Sequence, residues 1–422
     1  MNAERTLPLR FEYQAKPFLR LTFEADAKCG HTARAVHFQN IKGERLIKSR
    51  VHYQWQKDPM PEFRTGVSLH SHTLHSRESL DFIERATANT PWLSGAIRKQ
   101  REKYRAIKGR ELDLSRAWWT PPLSGRQAVD LEKRQIERRL AMDALVSITD
   151  HDNIDACLSL QVIEETRDVP VSIEWTVPFR GTFFHLGVHN LPTDTERAMT
   201  TAMNEFTLAP EEPAIAPMLE WLSAAPETLI ILNHPAWDEN HIGEAAHSEL
   251  VIAFIEAYKP FIHALELNGL RPWSENRKAA QMASRFGFPV ISGGDRHGRE
   301  PNACVNLTNA VSFAEFVSEV RNDGWSDVLF LPQYREPLKM RILENMCDIL
   351  EDDPAHAMGW TCWSDRVFYL TDEGIVKSLK EFWGKQFPAV VNRFVSLMQV
   401  AKHRRVRSAL RVALNEKREF AL

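Results

Sequence analysis

Seven times between Gly66 and His297, a short apolar run ends in a residue with a metal-binding side chain. Gly66-Val67-Ser68-Leu69 leads into His70-Ser71-His72, and Ala144-Leu145-Val146-Ser147-Ile148 leads into Thr149-Asp150-His151-Asp152. Val171-Ser172-Ile173 ends in Glu174, Phe183-Phe184 in His185, and Leu229-Ile230-Ile231-Leu232 in Asn233-His234-Pro235. Ala264-Leu265 ends in Glu266, and Pro289-Val290-Ile291-Ser292-Gly293-Gly294 in Asp295-Arg296-His297. One such run is an ordinary buried strand with a polar end. Seven predict an α/β barrel of parallel strands whose C-terminal ends converge on a metal centre.

The spacing sharpens this expectation. Alternation along a strand turns His70 and His72 the same way, and two imidazoles on one side make half a divalent-metal site. Asp295 and His297 repeat that spacing on the last strand, which neighbours the first in a closed barrel. His75 breaks the alternation and reads as a loop residue. Glu174 and His185 flank a predicted hairpin through Arg180-Gly181, which sets both at similar height. A glutamate there can bridge two ions through its two oxygens. His189 shares a face with His185 and competes with it; His185 is favoured. Pro235 stops its strand and fixes His234 at the end.

The flanks read differently. Residues 1–65 predict a β-rich segment, from the alternation of Leu9, Phe11 and Tyr13 and of Leu19, Leu21 and Phe23. His31, His37 and His52 have no ligand-like spacing there and are assigned to packing or surface. Residues 66–325 alternate strands and helices, interrupted by a polar insertion at about 86–122 containing Trp118-Trp119. Ser124 reads as the N-cap of a helix that feeds the strand before Asp150. Residues 326–422 predict a mainly helical extension, with Phe387, Val391, Phe394 and Met398 at helical spacing and a basic face from Lys402 to Arg411.

Composition narrows the setting. A net charge of −3 over 422 residues gives no global field toward nucleic acid or an anionic membrane. The five cysteines (Cys29, Cys157, Cys304, Cys347, Cys362) lack CxxC spacing, which favours a reducing compartment. No apolar run has the length of a membrane span, and the N-terminus lacks a secretion-signal layout. A cytoplasmic protein without a membrane partner is expected, and a nucleic-acid partner is disfavoured but left open.

These residues resemble the PHP family, the polymerase and histidinol phosphatase superfamily of metal-dependent phosphoesterases. The resemblance rests on His70-Ser71-His72 followed by Thr73 and Ser76, on Thr149-Asp150-His151-Asp152, and on Glu174 with His185-Leu186-Gly187. It continues in Asn233-His234-Pro235, Leu265-Glu266-Leu267-Asn268 and Gly294-Asp295-Arg296-His297, all in family order. It covers residues 66 to about 325 and implies a distorted (β/α)7 barrel holding two or three Mn, Fe or Zn ions. One ion would take His70, His72, Glu174 and Asp295; a second would share Glu174 and take His185 and His234. A third would use His151, His297 and a group just after the HxH. There the chain departs from the family: Arg77 stands where members often have Asp, and Glu78 where others have His. Glu78 is expected to replace the usual ligand.

The implied activity is hydrolysis of a phosphate monoester or small phosphodiester on a small phosphorylated substrate. Clustered divalent ions acidify a water and neutralise charge on phosphate oxygens. Glu174, Asp295 and Arg296 are the expected catalytic residues. Arg296 and Arg299 are the candidate phosphate clamps, because a guanidinium fork matches phosphate oxygens. Alternation turns Arg296 away from its neighbours, so a structural salt bridge is an equal reading of it. Asp150 and Glu266 are expected to orient ligands rather than react. Two alternatives are an amidohydrolase-like C–N hydrolase and a non-catalytic scaffold that binds a partner.

Overall fold

Short strands buried on both faces read as unbroken apolar runs, and the runs above each fall in or lead into a strand, Val171-Ser172 ending where its strand begins. The computed structural model describes residues 48–56, 61–81, 83, 91–109, 111–384 and 388–414. The alternation seen around Leu9 to Phe23, and residues His31, His37 and Phe387, lie outside them.

The first sheet runs in the order β1 (Lys48–Tyr53), β12 (Trp325–Phe330), β11 (Cys304–Thr308), β2 (Thr65–Ser68) and β5 (Asp143–Val146). The second runs β10 (Val290–Gly293), β9 (Ala264–Asn268), β8 (Leu229–Leu232), β7 (Thr182–His189) and β6 (Ile173–Phe179). Their edges meet just beyond the strand ends. His151 bridges to Glu174 on one side, and Ser71 to Arg296 on the other. Asp295 N donates to His70 O at 2.7 Å across the second seam. Hydrogen bonding thus passes from β2 through β5, β6, β7, β8, β9 and β10 and back to β2.

Not every strand is parallel. β6 and β7 form an antiparallel hairpin turned by Arg180-Gly181, and β7 is also antiparallel to β8. Glu174 therefore lies near the start of β6, and His185 inside β7, rather than at C-terminal strand ends as the sequence pattern suggested.

Alternation on β8 shows what fills the interior. Ile230 and Leu232 join the large core with Trp175, Val188, Leu265 and Phe254. Leu229 and Ile231 join a smaller core with Val67, Leu69, Ala264 and Ile291, closed by Phe313 and Phe316 of α8 (Phe313–Arg321). On that second face, Glu266 follows Ala264 and Asn233 follows Ile231, so polar groups cap an apolar plug.

Helices connect the strands. α1 (Pro91–Lys108) and α2 (Gly125–Leu140) lie between β2 and β5, and α3 (Asp155–Gln161) follows β5. Ser124 starts α2 with a reciprocal capping box to Gln127, a device worth about 1 kcal/mol. α4 (Glu196–Leu208) and α5 (Glu212–Ser223) precede β8; α6 (Glu244–Tyr258) and α7 (Trp273–Phe286) flank β9.

The flanks join the body at both ends. β1 lies parallel to β12, and the buried Asp327 carboxylate binds Arg50 and His52, each at 2.7 Å. The first sheet therefore continues past the boundary expected near 325. Beyond it come α9 (Leu338–Ile349), the hairpin β13 (Val367–Leu370) and β14 (Val376–Ser378), α10 (Leu379–Trp383), α11 (Ala389–Ala401) and α12 (Arg404–Ala413). The hairpin was not foreseen. With β3 (Glu78–Ser79) and β4 (Ala117–Trp119) it forms a third sheet, in the order β14-β13-β4-β3. The basic face is partly neutralised within the chain: Lys402 binds Asp348 and Glu351, Arg407 binds Glu344, and Arg411 binds Glu336.

Candidate metal centre

All nine side chains expected as ligands come together. His70, His72, Glu78, His151, Glu174, His185, His234, Asp295 and His297 make up four overlapping groups, within each of which the donor atoms lie within 4.8 Å of one another. Glu174 is the hub. Its Oε2 stands 3.1 Å from His70 Nε2, 3.3 Å from His72 Nε2 and 3.4 Å from His151 Nδ1. Its Oε1 stands 3.2 Å from His234 Nε2 and 3.6 Å from His185 Nδ1. Asp295 Oδ1 closes the first set, 3.7 Å from His70 Nε2 and 3.6 Å from His72 Nε2.

Glu78 makes the third set. Its Oε2 lies 3.3 Å from His297 Nε2 and 3.4 Å from His151 Nε2. Ser76 Oγ donates to its Oε1 at 2.7 Å, which fixes the carboxylate. Arg77 instead leaves the cluster, its guanidinium 5.3 Å from the Trp118 ring.

The backbone is forced into place here. His70, His234 and Asp295 have φ of 59°, 28° and 55°, a region that L-residues other than Asn, Asp and His rarely occupy. Such conformations cost about 1–3 kcal/mol each and cluster at functional sites. The convergence of His70 and His72 therefore owes nothing to strand alternation, because β2 stops at Ser68. The glycines before Asp295 allow close approach. A Cβ on Gly293 would fall 1.5 Å from Glu266 Oε1, and one on Gly294 would fall 1.7 Å from Asn302 Cγ.

The electrostatics suit cations. Burial opposes charge on Glu78, Glu174 and Asp295, yet the surrounding imidazoles hold all three well below the carboxylate range. Burial, with the His297 charge beside it, pushes His72 down to about 3, so it presents a neutral ring. His70 Nε2, His72 Nε2 and Glu174 Oε2 are buried, face the cluster and have no hydrogen-bond partner. Buried polar atoms are ordinarily paired, so this concentration of bare donor atoms fits divalent ions.

Glu266 touches two of the candidate ligands, and Asp150 touches the Thr73 that follows His72. Glu266 Oε1 lies 2.5 Å from His70 Nδ1, and its Oε2 accepts from His234 N at 2.7 Å. Asp150 accepts from Thr73 N and Thr73 Oγ1 at 2.5 and 2.7 Å, and burial raises its carboxyl to about 7. His189 binds Ser147 Oγ at 2.8 Å, outside the four groups, which leaves His185 as the hairpin histidine in the cluster. His75 also stands outside them.

The two arginines are corrected. Arg296 is buried and donates to Glu132 Oε1, Gly298 O and His72 O, at 3.1, 2.8 and 3.2 Å. Its fork is used inside the protein, so it is neither clamp nor catalytic group. Arg299 is drawn to α9 and its following loop, donating N–H to Asp348 and Nη2 to Asp353. The cation that does approach is Arg271. Its Nη2 lies 3.6 Å from Asp295 Oδ2, its guanidinium carbon sits 3.2 Å from the Trp237 ring centroid, and its buried Nε has no partner. Sequence reading missed Arg271, and also Glu239, whose Oε2 is 3.8 Å from His185 Nδ1. Each follows a strand end that bears a ligand or an orienting group by a few residues, and that position was the available signal. Aromatic rings edge the cluster: Trp237 against His234, Phe183 against His185 and Trp119 against His297, at 5.0, 5.1 and 5.8 Å between centroids.

Fold and site together define a mixed α/β protein with a buried His and carboxylate cluster suited to divalent metal ions. Among the described residues no helix is long and apolar enough to cross a membrane. No protein-family model and no curated protein matches the chain. Solved structures are matched remotely. An amidohydrolase from Chromobacterium violaceum, with bound sulfate and no metal, is 17% identical over 42% of this chain and 84% of its own, at a TM-score of 0.30. A protein from Bifidobacterium adolescentis described as a metal-dependent phosphoesterase is 13% identical over 63% of this chain and 98% of its own, at 0.32. PsfC from Pseudomonas syringae is 13% identical over 68% and 98%, at 0.33.

Proposed function

We propose that this chain is a PHP-type metal-dependent phosphoesterase that hydrolyses a phosphate monoester or small phosphodiester. In this reading residues 66–325 are the catalytic unit, and the joined strands from β2 round to β10 are its distorted (β/α)7 barrel. Residues 1–65 and 326–422 are accessory segments. The observation that carries the reading is the division of Glu174, whose two oxygens face different sets of imidazoles.

His70, His72, Glu174 and Asp295 would hold one ion, and Glu174, His185 and His234 a second. Glu78, His151 and His297 would hold a third. Mixed imidazole and carboxylate donors suit Mn, Fe or Zn. Such ions would acidify a water and neutralise charge on phosphate oxygens. The chain's own part is to position and to bind. Glu266 fixes the ring of His70 and the backbone of His234. Arg271, braced on Trp237, offers its fork to phosphate oxygens beside Asp295.

Reconstitution with Mn or Zn, desalting and elemental analysis test the reading, together with turnover of p-nitrophenyl phosphate against an anilide. Three ions per chain and phosphate-ester turnover are expected. Near-zero metal, or turnover of the anilide alone, overturns it. Glu78→Ala should keep two ions and lose the third; retention of all three would remove Glu78 from the ligand set. Arg271→Ala should weaken inhibition by inorganic phosphate by about 10–100-fold, the worth of a charged hydrogen bond of roughly 1.5–3 kcal/mol. Unchanged inhibition would exclude Arg271 as the clamp.

A further inference from the structure

Glu78 stands on a strand of two residues which, among the described residues, is the edge of the third sheet and pairs with β4 alone, through Glu78↔Trp119 and Ser79↔Trp118. A two-stranded ribbon this short does not hold its register alone. The support comes from the other side of β4. There β13 pairs Val367↔Trp119, Phe368↔Trp118 and Tyr369↔Ala117, and Thr120 N donates to Arg366 O at 2.9 Å. Trp118 stacks on Phe368 with centroids 5.7 Å apart. Arg366 in turn donates Nη2 to the carbonyls of Ile349 and Glu351, at the end of α9. The adjoining Trp119 ring lies against His297, a second member of the same ligand group. The other ligands need no such support, since they sit in or just past strands of the two large sheets.

We propose that the β13–β14 hairpin is the positioning element of the third ion site. It seats β4 and β4 seats β3, so the stack holds the backbone of Glu78 beside the His151 and His297 pair, while Ser76 Oγ holds its carboxylate from the other side. The inference rests on the three-ion reading above. It makes ion content a property of the C-terminal segment, although none of the nine ligands belongs to that segment.

The test is Phe368→Ala in the full chain, with Phe368→Tyr as the conservative control. Metal content per chain is measured after Mn reconstitution, and hydrogen exchange is measured at the Leu80 amide, which donates to Ala117 O. The alanine variant should lose one ion of three, with about 10–100-fold weaker binding at that site. It should exchange Leu80 faster, and the tyrosine variant should restore both. Three ions with unchanged exchange overturn the proposal. Loss of all three ions also overturns it, because Phe368 would then support the whole fold. A wild-type chain holding fewer than three ions counts against the three-ion reading, while Leu80 exchange still decides whether the hairpin seats β3.

Discussion

Glu174→Gln is expected to remove at least two of three ions and to lower turnover by about 10³-fold or more. Five imidazoles, of His70, His72, His151, His185 and His234, stand 3.1 to 3.6 Å from its oxygens. Glutamine keeps the shape and one carbonyl oxygen, so the bond donated by Asn233 Nδ2 to Oε1 at 2.9 Å can persist. What disappears is the charge and one of the two acceptors, on which both ion positions depend. Loss of one preorganised group at a developing charge typically costs 10²–10³-fold, and here two such positions fall together. The ion proposed at Glu78, His151 and His297 is the one expected to remain. Elemental analysis beside steady-state turnover checks this, with circular dichroism to establish the fold. A folded variant with its full complement of ions would end the bridging role assigned to Glu174.

Glu132→Ala should destabilise the fold by roughly 3–5 kcal/mol, the cost of stranding a buried charge. Glu132 is fully buried on α2 and accepts from Arg296 Nε, Ser68 Oγ and Asn302 N, all at 3.0–3.1 Å. Burial pushes its carboxyl up and the Arg296 guanidinium down, and each charge offsets the other's shift. Removing one partner leaves the other buried and uncompensated, against a total stability of about 5–15 kcal/mol for an ordinary domain. Pairing Glu132→Leu with Arg296→Met should recover much of the loss, since a well-packed apolar pair often matches a buried ion pair. Urea unfolding of both variants reads the difference. A single variant within about 1 kcal/mol of the parent would show that Arg296 is not held as described.

The ligands were legible because strands buried on both faces announce themselves as apolar runs, and polar residues at their ends stand out. Glu78 was found only as a departure from a family pattern; no periodicity marks a two-residue strand. Arg296 misled because adjacency to Asp295 and His297 says nothing about direction, while its partner Glu132 sits in a helix that reads as charged and solvated. Arg271 and Glu239 lie in irregular loops after strand ends. The pairing of Trp118 with Phe368 joins segments far apart in sequence, with no local signal on either side.

The left-handed backbone at His70, His234 and Asp295 sets two selections against each other. Glycine at any of the three would relieve backbone strain, yet it would delete a candidate ligand and strand the buried groups around it, as with Glu266 Oε1 2.5 Å from His70 Nδ1. Relief of the backbone at these positions is thus bound to the loss of the cluster. An engineer seeking a hardier protein should hold the three fixed and look for gains elsewhere.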